Sequence, residues 1–176
     1  LIDSGFLAQM EPIELLYLRY SKSDRAHVVS QCRQYEDEIS WLCQHEKRSE
    51  KIIDTALSME GNTLVLFLRV EEHGHVLRDM LEERADCPTF FISGATPRED
   101  REAIRRQINK LQKSVTLGST GTMSTGIDIP ELHNVMLVMP GKSRVKLLQS
   151  IGRGLRKSAS GRSTRVIDVV DDLSVR

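Results

Sequence analysis

Five short apolar runs set the strongest limit on how this chain can fold: Thr63–Leu68, Thr89–Ile92, Val115–Leu117, Val135–Met139 and Val166–Val170. They are nearly continuous rather than alternating, as strands buried on both faces must be. Between them, apolar residues recur at helical spacing over Glu71–Arg84, Pro97–Leu111 and Arg144–Leu155. Strand and helix in alternation predict an α/β domain, a parallel sheet with helices on both faces. The 176 residues suit one such domain with a substantial core.

The signals around these runs fill in the rest. Ile13–Tyr20 has strand composition and predicts an added sheet edge or a bridge between two domains; Asp24–Gln34 is only weakly helical. Tyr35–Gln44 reads as a helix with Ile39, Leu42 and Cys43 on one stripe. The charged run Glu46-Lys47-Arg48 interrupts the pattern, and a second helix from Arg48 buries Ile52, Ile53, Ala56 and Leu57 before the breaker pair Gly61-Asn62. The helix from Pro97 has Thr96 as its expected cap and Glu99 to complete a capping box. Ser158–Gly161 reads as a loop.

Charge and cysteines narrow the classes. Lys plus Arg and Asp plus Glu each total 25, so the net charge does not advertise a nucleic-acid binder. The C-terminal part differs: Lys142 to Arg165 carries eight Lys or Arg and no acid, a local patch suited to phosphate. Cys32, Cys43 and Cys87 are odd in number and lack metal-ligand spacing, which predicts reduced thiols in a cytoplasmic compartment and no metal site. His73 and His75 are expected on the surface where a helix opens. No apolar run approaches the ~20 residues of a membrane helix, and Leu1–Phe6 has no signal-peptide pattern. The chain begins without Met, and Leu1–Met10 reads as a trailing piece of linker or of a preceding domain in a longer protein.

In an open parallel sheet, ligands gather at the carboxyl ends of the strands. Three polar loops meet that condition: Ser93-Gly94-Ala95-Thr96, Ser119 to Gly126, and Gly141-Lys142-Ser143. The first offers hydroxyls and a helix start. Farther on, Gln149-Ser150-Ile151-Gly152-Arg153-Gly154-Leu155-Arg156 sets two arginines three residues apart, on one face of a helix. Gly152 and Gly154 each lower helix propensity by roughly 1 kcal/mol relative to alanine, which suggests a need for close backbone approach. Guanidiniums in a fixed fork beside N–H and O–H donors are chemistry for a polyphosphate or a nucleic-acid backbone.

Ser119-Thr120 with Gly126-Ile127-Asp128-Ile129-Pro130, followed by Gln149, Gly152, Arg153 and Arg156 in a Q-x-x-G-R-x-x-R spacing, resembles motifs V and VI of the superfamily-two helicases. From about Pro12 to Asp172, the wording is most similar to the phage recombination and fork-remodelling members of that superfamily. The resemblance implies a RecA-like fold, the C-terminal motor domain of an ATP-dependent DNA helicase acting on branched DNA in recombination and repair. Residues 1–34 would then be linker and edge strand from a preceding motor domain, and 35–176 the C-terminal RecA-like domain.

The same resemblance assigns roles. Arg153 and Arg156 would be catalytic, neutralising charge on the transferring phosphate. Gly126, Asp128, Gln149 and Gly152 would line the ATP site, with Asp128 either accepting from a ribose hydroxyl or holding an arginine. Ser93, Gly94, Thr96, Ser119 and Thr120 would contact the backbone of DNA, as a single strand or a branched duplex. The phosphate-cradling loop is missing: Gly141-Lys142-Ser143 imitates its end, but the first glycine it requires falls at Met136, inside an apolar run. Nor does an Asp-Glu pair followed by Ala/Cys-His or Ala-Asp, the acid pattern for magnesium, appear. ATP and Mg2+ are therefore expected in a cleft shared with an N-terminal RecA-like domain, and the fragment alone is expected to be inactive. The other readings weighed are a non-catalytic RecA-like nucleic-acid-binding module and the motor of a restriction or remodelling translocase.

Overall fold

In the computed structural model the described residues are 13–123, 129, 131–140 and 164–173. They form a six-stranded parallel sheet with helices on both faces. The strands are β1 (Glu14–Arg19), β2 (Asn62–Phe67), β3 (Thr89–Ile92), β4 (Ser114–Ser119), β5 (Asn134–Leu137) and β6 (Arg165–Asp172). Their order is β1-β6-β5-β2-β4-β3, and every pair is parallel. Three helices, α1 (Lys22–Gln31), α2 (Tyr35–Gln44) and α3 (Glu46–Ser58), cross from β1 to β2. A π-turn, Val70–Gly74, and α4 (His75–Arg84) link β2 to β3; α5 (Arg98–Ile108) and the short α6 (Thr120–Met123) flank β4.

The alternation of side chains along each strand divides the core. Val65, Phe67, Leu117, Met136 and Ile167 pack on Ile52, Ile53, Leu77 and Leu81 of α3 and α4. Leu64, Leu66, Leu137 and Val166 pack on Ile108 of α5 and Met123 of α6. Every residue of β2, β4 and β5 is buried, which is why those runs carry no polar alternation. Ile13–Tyr20 resolves into β1, an edge strand paired to β6, with Leu18 turned to the core and Leu15 and Tyr17 exposed.

Several local expectations are corrected. The weakly helical Asp24–Gln34 is α1, started by a capping box in which Ser21 and Asp24 bond reciprocally at 3.1 and 3.0 Å. Thr96 does not cap α5. Its hydroxyl is taken by the Ser93 N–H at 3.0 Å, Pro97 becomes the boundary residue, and no side-chain cap forms with Glu99. Ser119, the start of the second polar loop, is the last residue of β4, and α6 begins at Thr120 where a loop is expected. His73 is fully buried rather than on the surface. The helix expected at Arg144–Leu155, the loop at Ser158–Gly161, the Gly141–Ser143 loop and the linker at Leu1–Met10 lie outside the described residues.

The Asn62 amide ties several segments together at the amino edge of the sheet. Asn62 Nδ2 donates to the carbonyls of Ile108, Leu111 and Glu131 at 3.1, 3.2 and 3.0 Å, and its Oδ1 accepts from Ser114 Oγ at 2.8 Å. Gly61 precedes it at φ +83°, a left-handed conformation in which a Cβ would lie 2.6 Å from the His133 ring. Asn62→Ala strands these buried partners, at about 1–3 kcal/mol for each group left unsatisfied. Urea unfolding is expected to show a loss of roughly 3 kcal/mol, and a loss below about 0.5 kcal/mol contradicts the amide's role.

Candidate functional site

Because all six strands are parallel, their carboxyl ends share one edge. β3 and β4 are in register there, with Ile92 opposite Gly118, so Ser93 and Ser119 leave the sheet side by side. After β3 the chain turns tightly: Thr96 N–H donates to the Ser93 carbonyl at 3.1 Å, and Ala95 N–H to Ser93 Oγ at 3.3 Å. After β4, Ser119 Oγ donates to Thr122 Oγ1 at 2.8 Å. A Cβ on Gly94 would lie 3.9 Å from Thr122 Oγ1, so the two turns lie close together with room between them for a small group. Gly118 allows the turn into α6, since a Cβ there would come within 2.9 Å of Met123 Cγ. Gly121 faces open space.

The structure thus brings Ser93, Gly94, Thr96, Ser119 and Thr120 to one patch. Ser93 and Ser119 are buried and fix the turns; Gly94 is exposed and Thr96 and Thr120 are half-buried. Hydroxyls and N–H groups at such a patch can bond phosphate oxygens without reading bases. Gly126, Asp128, Gln149, Gly152, Arg153 and Arg156 lie outside the described residues.

A second cluster, unread in the sequence, lies under the same edge toward β1. Arg48 of α3 is buried, and its Nε and Nη2 donate to the two carboxylate oxygens of Asp171 on β6 at 2.8 and 3.0 Å. Nη2 also donates to the Val138 carbonyl, just past β5, at 2.7 Å, and Nη1 lies 3.3 Å from His73 Nε2. Tyr20 Oη donates to Asp171 Oδ1 at 2.6 Å. Burial and then the Asp171 charge raise the Tyr20 pKa, so the phenol stays a donor. One guanidinium therefore ties the carboxyl ends of β1, β5 and β6 to the π-turn that follows β2. The signal was present in part: Arg48 stands one helical turn before Ile52, on the buried stripe of α3.

His73 packs in the π-turn against Phe67, with ring centroids 6.4 Å apart, and among the described residues its Nδ1 has no hydrogen-bond partner. Gly74 permits this packing, because a Cβ there would lie 2.5 Å from Phe67 Cε2. Burial first, and the Arg48 charge second, push the His73 pKa down to about 3. Among the described residues no cluster of His, Cys, Asp and Glu could hold a metal ion.

Residues 47–158 match the helicase conserved C-terminal domain. Across the whole chain the sequence is 28% identical to the ATP-dependent DNA helicase uvsW of Enterobacteria phage T4, over 35% of that protein. The crystal structure of T4 UvsW superposes with a TM-score of 0.79 and 30% identity, over 93% of this chain and 33% of that one. The chain therefore spans about a third of the length of the phage protein it matches. The putative ATP-dependent helicase IRC3 of Saccharomyces cerevisiae is 31% identical over 87 residues, 49% of this chain and 12% of that protein. The C-terminal domain of the DEAD-box protein Dbp5 shares the fold alone, with a TM-score of 0.59 at 16% identity, over 91% of this chain and 77% of that one. The superfamily-two resemblance and the RecA-like parallel sheet read from the sequence are both met.

The buried histidine yields a pH dependence. His73 is neutral in the fold down to about pH 3, while the unfolded chain binds that proton below about 6.5. The unfolded state binds more protons across that window, so stability is full above pH 6.5 and falls with acid until about pH 3. The slope from this group approaches about 1.4 kcal/mol per pH unit. His73→Gln keeps an acceptor for Arg48 and cannot protonate. Urea titrations from pH 7 to 4 are expected to show a shallower acid loss in that variant, and parallel curves contradict the assignment.

Proposed function

The chain belongs to the helicase conserved C-terminal domain family, and from that membership we propose that it is the second motor lobe of an ATP-dependent DNA helicase. Its class is the one that unwinds or anneals branched DNA in recombination and repair, working in the cytoplasm of a bacterial or phage-infected cell. The observation that supports this reading is that the Ser93–Thr96 and Ser119–Thr122 turns leave the sheet side by side at one carboxyl edge. Small hydroxylated turns on a buried sheet make a firm grip for a phosphate backbone, one that is indifferent to sequence.

The remaining donors of this chain suit a triphosphate. Two guanidiniums, a carboxamide and a glycine-rich backbone, at Arg153, Arg156, Gln149 and Gly152, match phosphate oxygens. They do not match magnesium, which takes carboxylate and water oxygens, so its ligands are assigned to the preceding lobe. ATP, bound between the lobes, supplies the phosphoryl bond whose cleavage drives the cycle. Arg153 and Arg156 neutralise charge on the outermost phosphate. Gln149 and Asp128 hold those arginines, and Gly126 lets the backbone approach the nucleotide. The hydroxyl turns hold one strand of DNA while the cleft opens and closes, so differential contacts in the two states move the grip along the backbone.

The test is made in the full-length protein. Arg156→Ala removes a charge needed most as the phosphoryl group transfers, so turnover falls more than ATP affinity. The expected loss is on the order of 10³-fold, with DNA binding and melting temperature close to wild type. Arg156→Lys does not rescue, because an ammonium lacks the planar fork. Turnover within a few-fold of wild type removes the residue from the mechanism, and an unfolded variant makes it structural. Thr120→Ala is expected to do the reverse, weakening DNA binding while leaving the fold intact.

A further inference from the structure

At the opposite end of the carboxyl edge from Ser93 and Ser119, β1 runs out beside a cleft of about 370 Å³. Its walls come from the end of β1, the start of α1 and the first turns of α3. Arg19, Lys47 and Lys51 line it, all exposed, with the two lysines one turn apart on α3. Among the described residues no carboxylate comes within salt-bridge distance of these three. This contrasts with Arg25, Arg69, Arg84 and Arg165, each paired at the surface. Tyr17, also in the lining, is 61% exposed.

The negative groups nearby are already engaged. Asp24, the lining carboxylate, is bonded by Ser21 and lies 3.6 Å from His45. Asp172, opposite Arg19 in the strand register, is held by Arg25 at 3.0 Å. Arg48 and Asp171 beneath the cleft neutralise each other. Three cations stand against the one charged carboxylate of Asp24, so the lining is net positive, over a floor fixed by the buried ion pair and by Tyr20, which packs edge-on to His45 at 5.3 Å.

We propose that this cleft is a second contact for nucleic-acid backbone, with Arg19, Lys47 and Lys51 meeting phosphates and the Tyr17 ring stacking on a base. The inference rests on the helicase-lobe reading and extends it. Unpaired cations beside an exposed aromatic ring are how sequence-tolerant strand binding is built. The cleft opens on the edge that carries the hydroxyl turns. Five strand spacings separate β1 from β3, about 24 Å, so one bound strand or one arm of a branched molecule can engage both ends of the sheet. Lysines beside an open edge strand also discourage edge-to-edge pairing, and that role alone predicts no effect on DNA binding.

The experiment uses the full-length protein and a fluorescent single-stranded oligonucleotide, titrated at several salt concentrations. The variant is Lys47→Glu/Lys51→Glu; the control of equal charge change is Lys110→Glu/Lys113→Glu, both just beyond the C-terminal end of α5. Melting temperature is recorded for each. Single-strand binding loses about 0.7 in salt slope per phosphate contact removed, so the cleft variant is expected to lose about 1.4, with affinity down on the order of tenfold at 0.1 M salt. Tyr17→Ala is expected to weaken binding several-fold with an unchanged slope. The control keeps its slope. If wild type binds and the cleft variant binds with the same affinity and slope, the cleft is not a nucleic-acid site and the helicase reading stands. Unchanged DNA binding with lowered ATP turnover assigns the cations to the preceding lobe and also overturns the proposal. A wild-type protein that binds no nucleic acid removes both readings together.

Discussion

The tie between Arg48 and Asp171 is the interaction on which the carboxyl edge depends. Parallel strands deliver their carboxyl ends to one edge but do not fix how the segments beyond them sit. One guanidinium, with five donors in a rigid fork, reaches a carboxylate, a carbonyl and an imidazole at once. Its partners lie on β6, just past β5 and in the π-turn, while Tyr20 at the end of β1 closes the carboxylate's remaining side. A buried ion pair adds little net stability over well-packed apolar groups, yet losing one partner costs about 3–5 kcal/mol because the other is left charged and dry. The arrangement therefore secures geometry more than it deepens the core.

The sheet has a division of labour along its length. The amino edge is closed by amides: Asn62 bridges three carbonyls, and Asn134 Nδ2 bonds the Glu60 carbonyl and Thr63 Oγ1 at 2.8 and 3.0 Å. The carboxyl edge instead presents turns with open glycines and half-buried hydroxyls. Side-chain polar groups are bonded internally at both edges, but at the carboxyl edge they stand beside the exposed backbone of Gly94 and Gly121.

How much of this was legible follows from what each signal depends on. The strand β3 was read to the residue, because Thr89–Ile92 is bounded by Pro88 and the Ser93-Gly94 turn. The strand β4 was read short, because Ser114, Gly118 and Ser119 are small and polar yet buried, and apolarity cannot detect them. Thr96 has the right spacing to cap α5, but the Ser93 N–H competes for the same hydroxyl. His73 looked like a helix-opening surface residue; its burial arises from the π-turn, which no short-range periodicity encodes. Arg48 sat on the buried stripe of α3, but Asp171, 123 residues away, is what makes its burial tolerable. Arg153 and Arg156 stand out by their helical spacing and Asp128 and Gln149 only through family resemblance; all four lie outside the described residues.

The central claim is that the carboxyl edge is the nucleic-acid face of this lobe. Amide hydrogen exchange on the full-length protein, with and without a saturating single-stranded oligonucleotide, tests it directly. Bound DNA is expected to slow exchange in the Ser93–Thr96 and Ser119–Met123 turns, and to leave the amino edge around Gly61–Asn62 and His133–Asn134 unchanged. Protection at the amino edge, with the two hydroxyl turns unaffected, contradicts the account.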